Sequence, residues 1–311
     1  MLMFLLLFIL FFLKNYEYFL VVYNNITYLN AQESGTIFST SPKIISYIHN
    51  QRKLERIVKG YGPTLRGNID LYKNNFLDFN DKEKKHIDSL LSVIIDNLKK
   101  NYPKFNYDDW IFMKSNDNIE GGMPFTILNY IILPEKVIRR SMGLSDFTAS
   151  MNYLGNILIH EKMHIFQRNN PDLVNMFYNK YWNFTYINNI NIPNYINDKI
   201  RSNPDGLQIY WVYKNKYLIL SLLNSDNNLS DINIYYYPIY WKNNRYYIDK
   251  PLNHLTEYNN FFCNIQYPYH PNESSAYLFS DIVLSQIFNT KLDTQCVALK
   301  QFYNWLNHNL G

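Results

Sequence analysis

The stretch Leu154–Arg168, LGNILIHEKMHIFQR, constrains the fold more than any other part of the chain. It carries two histidines four residues apart, His160 and His164, inside a run that is apolar nearly all round and free of proline. That pattern predicts a central helix rather than a surface one. Residues four apart on a helix lie one above the other, so the two imidazoles can aim at a single point. Glu161 lies about a hundred degrees round the helix, within reach of a water bound at that point. A core helix with two hydrogen-bonded histidines is the plainer alternative, but it buries the Glu161 charge with no cation nearby, which is costly.

The segment His160-Glu161-Lys162-Met163-His164 resembles the HExxH signature of the zincins, a superfamily of zinc peptidases. The resemblance implies a Zn2+ cofactor, His160 and His164 as metal ligands and Glu161 as general base. It also implies a zincin-like α+β fold. A small mixed sheet and the active-site helix would fill the N-terminal half, followed by a β-rich insertion and a helical C-terminal half.

A hydrolytic zinc site usually takes three protein ligands and leaves the fourth position to water. Gln167 and Asn170 occupy the places where the HExxHxxGxxH zincins carry their Gly and third ligand. The third ligand must therefore come from further on. Glu273, in His270-Pro271-Asn272-Glu273-Ser274-Ser275-Ala276, opens a second apolar helix. An HPxExxA segment resembles the third-ligand helix of the gluzincins, where a Glu completes the site and a small residue lets the two helices approach closely. On the residues alone Glu273 has another reading. With Pro271 first in the helix, Glu273 is third, where a carboxylate caps the end and complements its dipole. His254, Glu257 and His270 are rival ligands, and Asp281 is a candidate partner for one of the histidines.

In such a site Glu161 takes a proton from the water and passes it to the leaving amine. The developing oxyanion needs a further donor, a phenol or an imidazole. Tyr267, Tyr269 and His270 are near Glu273 in the chain and are the candidates; His49, His86 and His308 read as surface residues. The expected function is hydrolysis of peptide bonds in peptide or protein substrates. The alternative is a catalytically inactive zincin-like binding or structural module. A net charge of +4, with Lys and Arg scattered, indicates no nucleic-acid groove, and a DNA–protein crosslink peptidase would need one.

The chain's 311 residues suffice for one large core or two lobes around a cleft. Residues 1–13 are uninterrupted apolar, and 1–23 read as a signal peptide, a signal anchor or a buried or amphipathic helix. Membrane targeting is favoured, because an exposed run of this kind invites aggregation. Residues 24–50 read as a linker or a loosely packed lead-in and 51–311 as the catalytic domain. Its N-terminal half would span 51–170, the β-rich insertion about 200–250 and the helical part 255–311. Within it, Asn80 caps a helix with an apolar stripe from Ile87 to Leu98. Residues 110–113 and 125–133 read as two strands, 135–141 and 172–182 as helices, and 207–222 and 233–248 as β-hairpins. By the same resemblance, Met123–Leu133 corresponds to the edge strand that binds substrate. Cys263 and Cys296 are too few for a disulfide framework and form one bond or none.

Overall fold

A computed structural model describes residues 26–50, 64–105, 107–187, 190, 192–197, 199–200, 210–223, 232–240, 245–246, 250–263, 265, 270–293 and 295–311. The apolar segment 1–23, Tyr267 and Tyr269 lie outside these residues. Among the described residues, no helix is long and apolar enough to cross a membrane.

The chain folds as a mixed α+β structure with two small sheets. In order, β1 (Ile26–Tyr28), α1 (Ala31–Thr40), α2 (Pro42–Asn50) and α3 (Leu65–Lys73) lead to β2 (Phe76–Leu77). Then come α4 (Asp81–Asn101), β3 (Trp110–Ser115), β4 (Phe125–Ile127), β5 (Tyr130–Pro134) and α5 (Glu135–Met142). The first sheet has the order β1-β3-β5-β4, with β2 also paired to β3. β1 and β5 run parallel to β3, while β2 and β4 are antiparallel to their neighbours.

Side chains alternate across a strand, and here each face of the sheet meets its own core. Trp110, Phe112, Ile131 and Leu133 join the main core with α4. Met113, Ile132, Phe125 and Ile127 join a second core built on Phe38, Tyr47 and Tyr72 of α1–α3. The segment expected as a linker is therefore largely folded in. β1 pairs with β3, Asn30 caps α1 with a capping box, and Ser34, Gly35 and Phe38 are buried. Its short apolar spacing hid this, because its partners are strands and helices distant in sequence.

One helix matches its expected start. Asn80 accepts from the Lys82 and Glu83 amides to start α4, and Lys99 and Lys100 fall in its last turn. The apolar run 125–133, expected as one strand, is instead a tight hairpin. Leu128 takes a left-handed φ of 54° at the reversal, and its carbonyl accepts from the Arg168 guanidinium. Without Gly or Pro at the turn, Asn129 was the one reversal signal there, and it did not outweigh the apolar run around it.

After α5, Asp146 caps α6 (Phe147–Ser150), which continues through a π-helical turn, Met151–Gly155, into α7 (Asn156–Asn169). A Cβ at Gly155 would run into Met151 Sδ, so a larger residue there would require the Met151 side chain to move. π-Turns insert one residue and rotate the helix that follows. Asn170 then links α7 to α8 (Pro171–Trp182).

The second sheet has the order β10-β9-β8-β7-β6, with β11 also on β9. Its strands are β6 (Phe184–Ile187), β7 (Tyr210–Tyr213), β8 (Tyr217–Leu223), β9 (Ile232–Tyr240), β10 (Arg245–Tyr246) and β11 (Lys250–Pro251). α9 (Asn194–Asn197) lies between β6 and β7. Trp211, Tyr213, Ile219 and Tyr236 face the main core, while Val212, Leu218, Leu220 and Leu222 form a small outer one. α10 (Thr256–Phe262), α11 (Pro271–Ile287) and α12 (Val297–Asn309) finish the chain. Cys263, at the end of α10, is bonded to Cys296, at the start of α12, across 33 positions. A loop closure of that length stabilises a fold by about 3.7 kcal/mol.

Candidate metal centre

α7 and α11 pack against each other in the main core. α11 begins with small residues that are fully buried, Ser274, Ser275 and Ala276, with Ser280 further along, all at 0% exposure. Short side chains let the two backbones approach, and the approach brings three donors together. His160 Nε2 and His164 Nε2 are 3.0 Å apart. Glu273 Oε2 lies 3.5 Å from His160 Nε2, and Glu273 Oε1 lies 3.5 Å from His164 Nε2. His160, His164 and Glu273 are the one group of three potential metal ligands among the described residues.

Their chemistry and spacing fit a divalent metal. Ligands of a tetrahedral zinc at about 2.0–2.1 Å stand about 3.3–3.4 Å from one another. The closest donor separations here, 3.0, 3.5 and 3.5 Å, bracket that value. Two imidazoles and one carboxylate also form a donor set that catalytic zinc takes. His164 is fully buried and Glu273 nearly so, whereas the His160 side chain keeps 12% of its surface exposed. The centre therefore opens on the His160 side. Glu161, next to His160 on α7, is buried at 4% exposure.

Burial raises the Glu273 carboxyl pKa, but the charge that His164 carries when protonated, with the hydrogen bonds and charge that the protonated His160 and His164 rings supply, outweighs it. The net result holds the carboxyl well below its ordinary range, so Glu273 stands ready as an anion.

Other candidates separate cleanly. Glu257 is on the surface in an ion pair with Lys214 at 2.8 Å, and His254 is exposed. Asp281 is exposed rather than set against a histidine. His270 is the N-cap of α11: its Nδ1 accepts the Asn272 amide at 3.2 Å, so the proton of the neutral ring sits on Nε2. Trp211 of β7 packs edge-on against it, ring centroids 6.1 Å apart, which brings the second sheet up to the third-ligand helix. His49 and His308 are exposed, as expected. His86 is instead half-buried and bridges α4 to α5 through Ser141 Oγ at 2.8 Å.

Three residues at the centre had no role assigned from sequence. Tyr277 stands one turn beyond Glu273, and its ring packs edge-on against His160 with centroids 4.5 Å apart. The four-residue spacing from Glu273 was the available signal. Gln167 Oε1 is 2.9 Å from His164 Nδ1, and Tyr178 of α8 bonds Ser275 Oγ at 2.6 Å. The three-residue spacing from His164 was the available signal for Gln167, whereas nothing local marks Tyr178, whose partner lies on α11.

The far side of α7 carries Lys162, which is 2% exposed. Its ammonium donates to the carbonyls of Asp108 and Asp109 at 2.5 and 3.4 Å and lies 4.9 Å above the Trp110 ring. Burial brings its pKa down to about 8, against the upward pull of Asp109 and Asp108. An unfolded lysine titrates near 10.4, so between the two values the unfolded chain binds more protons and stability rises with pH. The rise from this residue is on the order of 3 kcal/mol. Lys162→Met is expected to remove that rise in urea-unfolding midpoints measured from neutral to alkaline pH. Parallel wild-type and variant profiles would contradict the assignment.

No protein-family model, curated protein or solved structure matches the chain.

Proposed function

We propose that the chain is a zinc-dependent peptidase with a zincin-like arrangement. One observation carries the reading: a glutamate singled out by its sequence setting, Glu273, stands 3.5 Å from each histidine of the HEKMH helix. The intact Glu161 supports catalysis over a purely structural role, since a binding module has no use for a buried base beside its ligands.

His160, His164 and Glu273 would hold the ion. Bound there, zinc supplies Lewis acidity and lowers the pKa of a water toward neutrality. Glu161 would act as the general base, taking a proton from the attacking water and returning it to the departing amine. His270, with its proton on Nε2, supplies a hydrogen-bond donor to the developing oxyanion. β4 is the last strand of its sheet, and Arg168 of α7 grips the hairpin that follows it. A substrate backbone added alongside β4 would be held through main-chain hydrogen bonds, which suits peptides of varied sequence. The Cys263–Cys296 bond fits an oxidising compartment and so accords with export or anchoring through residues 1–23.

The test is hydrolysis of an unfolded protein substrate by the purified chain. A chelator is expected to abolish cleavage and added zinc to restore it. Cleavage that persists after the metal is stripped would contradict the reading.

A further inference from the structure

A glutamine amide has one acceptor oxygen and two donor hydrogens, and its two ends are chemically distinct. Gln167 is 3% exposed and places both ends. Its Nε2 lies 2.9 Å from the Asn272 carbonyl oxygen and 2.9 Å from Ser275 Oγ. A carbonyl can only accept, so the nitrogen end of the amide must face it. The oxygen end therefore faces His164 Nδ1, at 2.9 Å. An oxygen acceptor there requires a hydrogen on Nδ1. A neutral imidazole has one ring proton, so Nε2 of His164 is bare. That bare nitrogen is the one 3.0 Å from His160 Nε2 and 3.5 Å from Glu273 Oε1.

Gln167 also spans the two ligand helices. It sits three residues beyond His164 on α7, and its amide nitrogen binds residues of α11 on either side of Glu273. Ser275 Oγ is in turn bonded to Tyr178 OH at 2.6 Å and donates to the Asn272 carbonyl at 3.1 Å. α7, α8 and α11 thus meet in one buried polar network whose members satisfy each other.

We infer that Gln167 is a positioning residue: it locks His164 in the tautomer with a bare Nε2 and sets the spacing of the helices that carry His164 and Glu273. Its value to catalysis rests on the peptidase reading above, but the tautomer does not. The centre is assembled before any ion arrives, so a metal meets a preformed donor set and not a histidine that must first shift its proton. Outer-sphere partners of this kind typically change metal affinity by about 10–100-fold.

The test uses the full-length chain with 15N-labelled histidine, stripped of metal, at a pH high enough that the histidine nitrogen shifts no longer change. In the wild type, nitrogen shifts of His164 are expected to show a protonated Nδ1 and a bare Nε2. Gln167→Leu removes the acceptor at similar volume, while Asn272, Ser275 and Tyr178 keep their bonds to one another, so the fold should survive; circular dichroism checks this. His164 should then lose its Nδ1–H preference, and zinc affinity from chelator competition should fall about 10–100-fold. A wild-type chain with the His164 proton on Nε2 overturns the inference without any variant. So does a folded Gln167→Leu chain with wild-type tautomer and affinity. A wild type that binds no zinc yet shows the expected tautomer and its loss in Gln167→Leu supports the role of Gln167 and removes the peptidase reading.

Discussion

Glu161→Gln is expected to lower the rate of peptide hydrolysis by about 100- to 10,000-fold while zinc content stays at the wild-type level. The glutamine has nearly the volume of the glutamate, so the buried site at 4% exposure keeps its packing. What it loses is basicity: an amide oxygen cannot carry a proton from water to a leaving amine. Glu161 is not among the three converging donors, so the variant separates catalysis from metal binding. The check is a cleavage assay beside elemental analysis on the same preparation. Loss of metal together with activity would mean that Glu161 is a ligand. Retention of more than a tenth of the activity would mean that another group is the base.

Glu273→Ala is expected to have the opposite signature, with loss of metal first and of activity in consequence. Removing one of three ligands should weaken zinc binding by more than the 10–100-fold typical of outer-sphere partners. A second readout follows from linkage. A ligand at a hundred times its Kd stabilises the folded state by about 2.7 kcal/mol. The wild type should therefore melt at a higher temperature with zinc than with chelator, and Glu273→Ala should melt alike in both. A zinc-dependent shift of wild-type size in Glu273→Ala would reassign the third ligand.

The parts of this site that were legible in the sequence are those with short-range signatures. HEKMH places two imidazoles on one helical face through a four-residue spacing. Asn80 announces a helix start through its own side chain. Glu273 stood out because Pro271 and Ala276 frame it within a few residues. The illegible parts depend on what the chain meets across space. Residues 26–50 looked like a linker because β1 finds its partner in β3 and Phe38 finds its own in Tyr72 and Phe76. The reversal at Leu128 is fixed by Arg168, on a helix the local residues do not foretell. Gln167 seemed merely to mark the absence of a familiar glycine, whereas its amide joins His164 to the helix of Glu273. Glu257 and Glu273 are similar as isolated carboxylates. Packing assigns one to a surface lysine and the other to the buried histidine pair.

The metal content and ligand shell of the purified wild-type chain test the centre most directly, by elemental analysis and X-ray absorption on one sample. About one zinc per chain is expected, with nitrogen and oxygen ligands at about 2.0–2.1 Å and no sulfur at about 2.3 Å. A chain that purifies without metal and takes none on reconstitution, or a zinc bound through sulfur, would contradict it. His160, His164 and Glu273 would then be only a hydrogen-bonded cluster in the core.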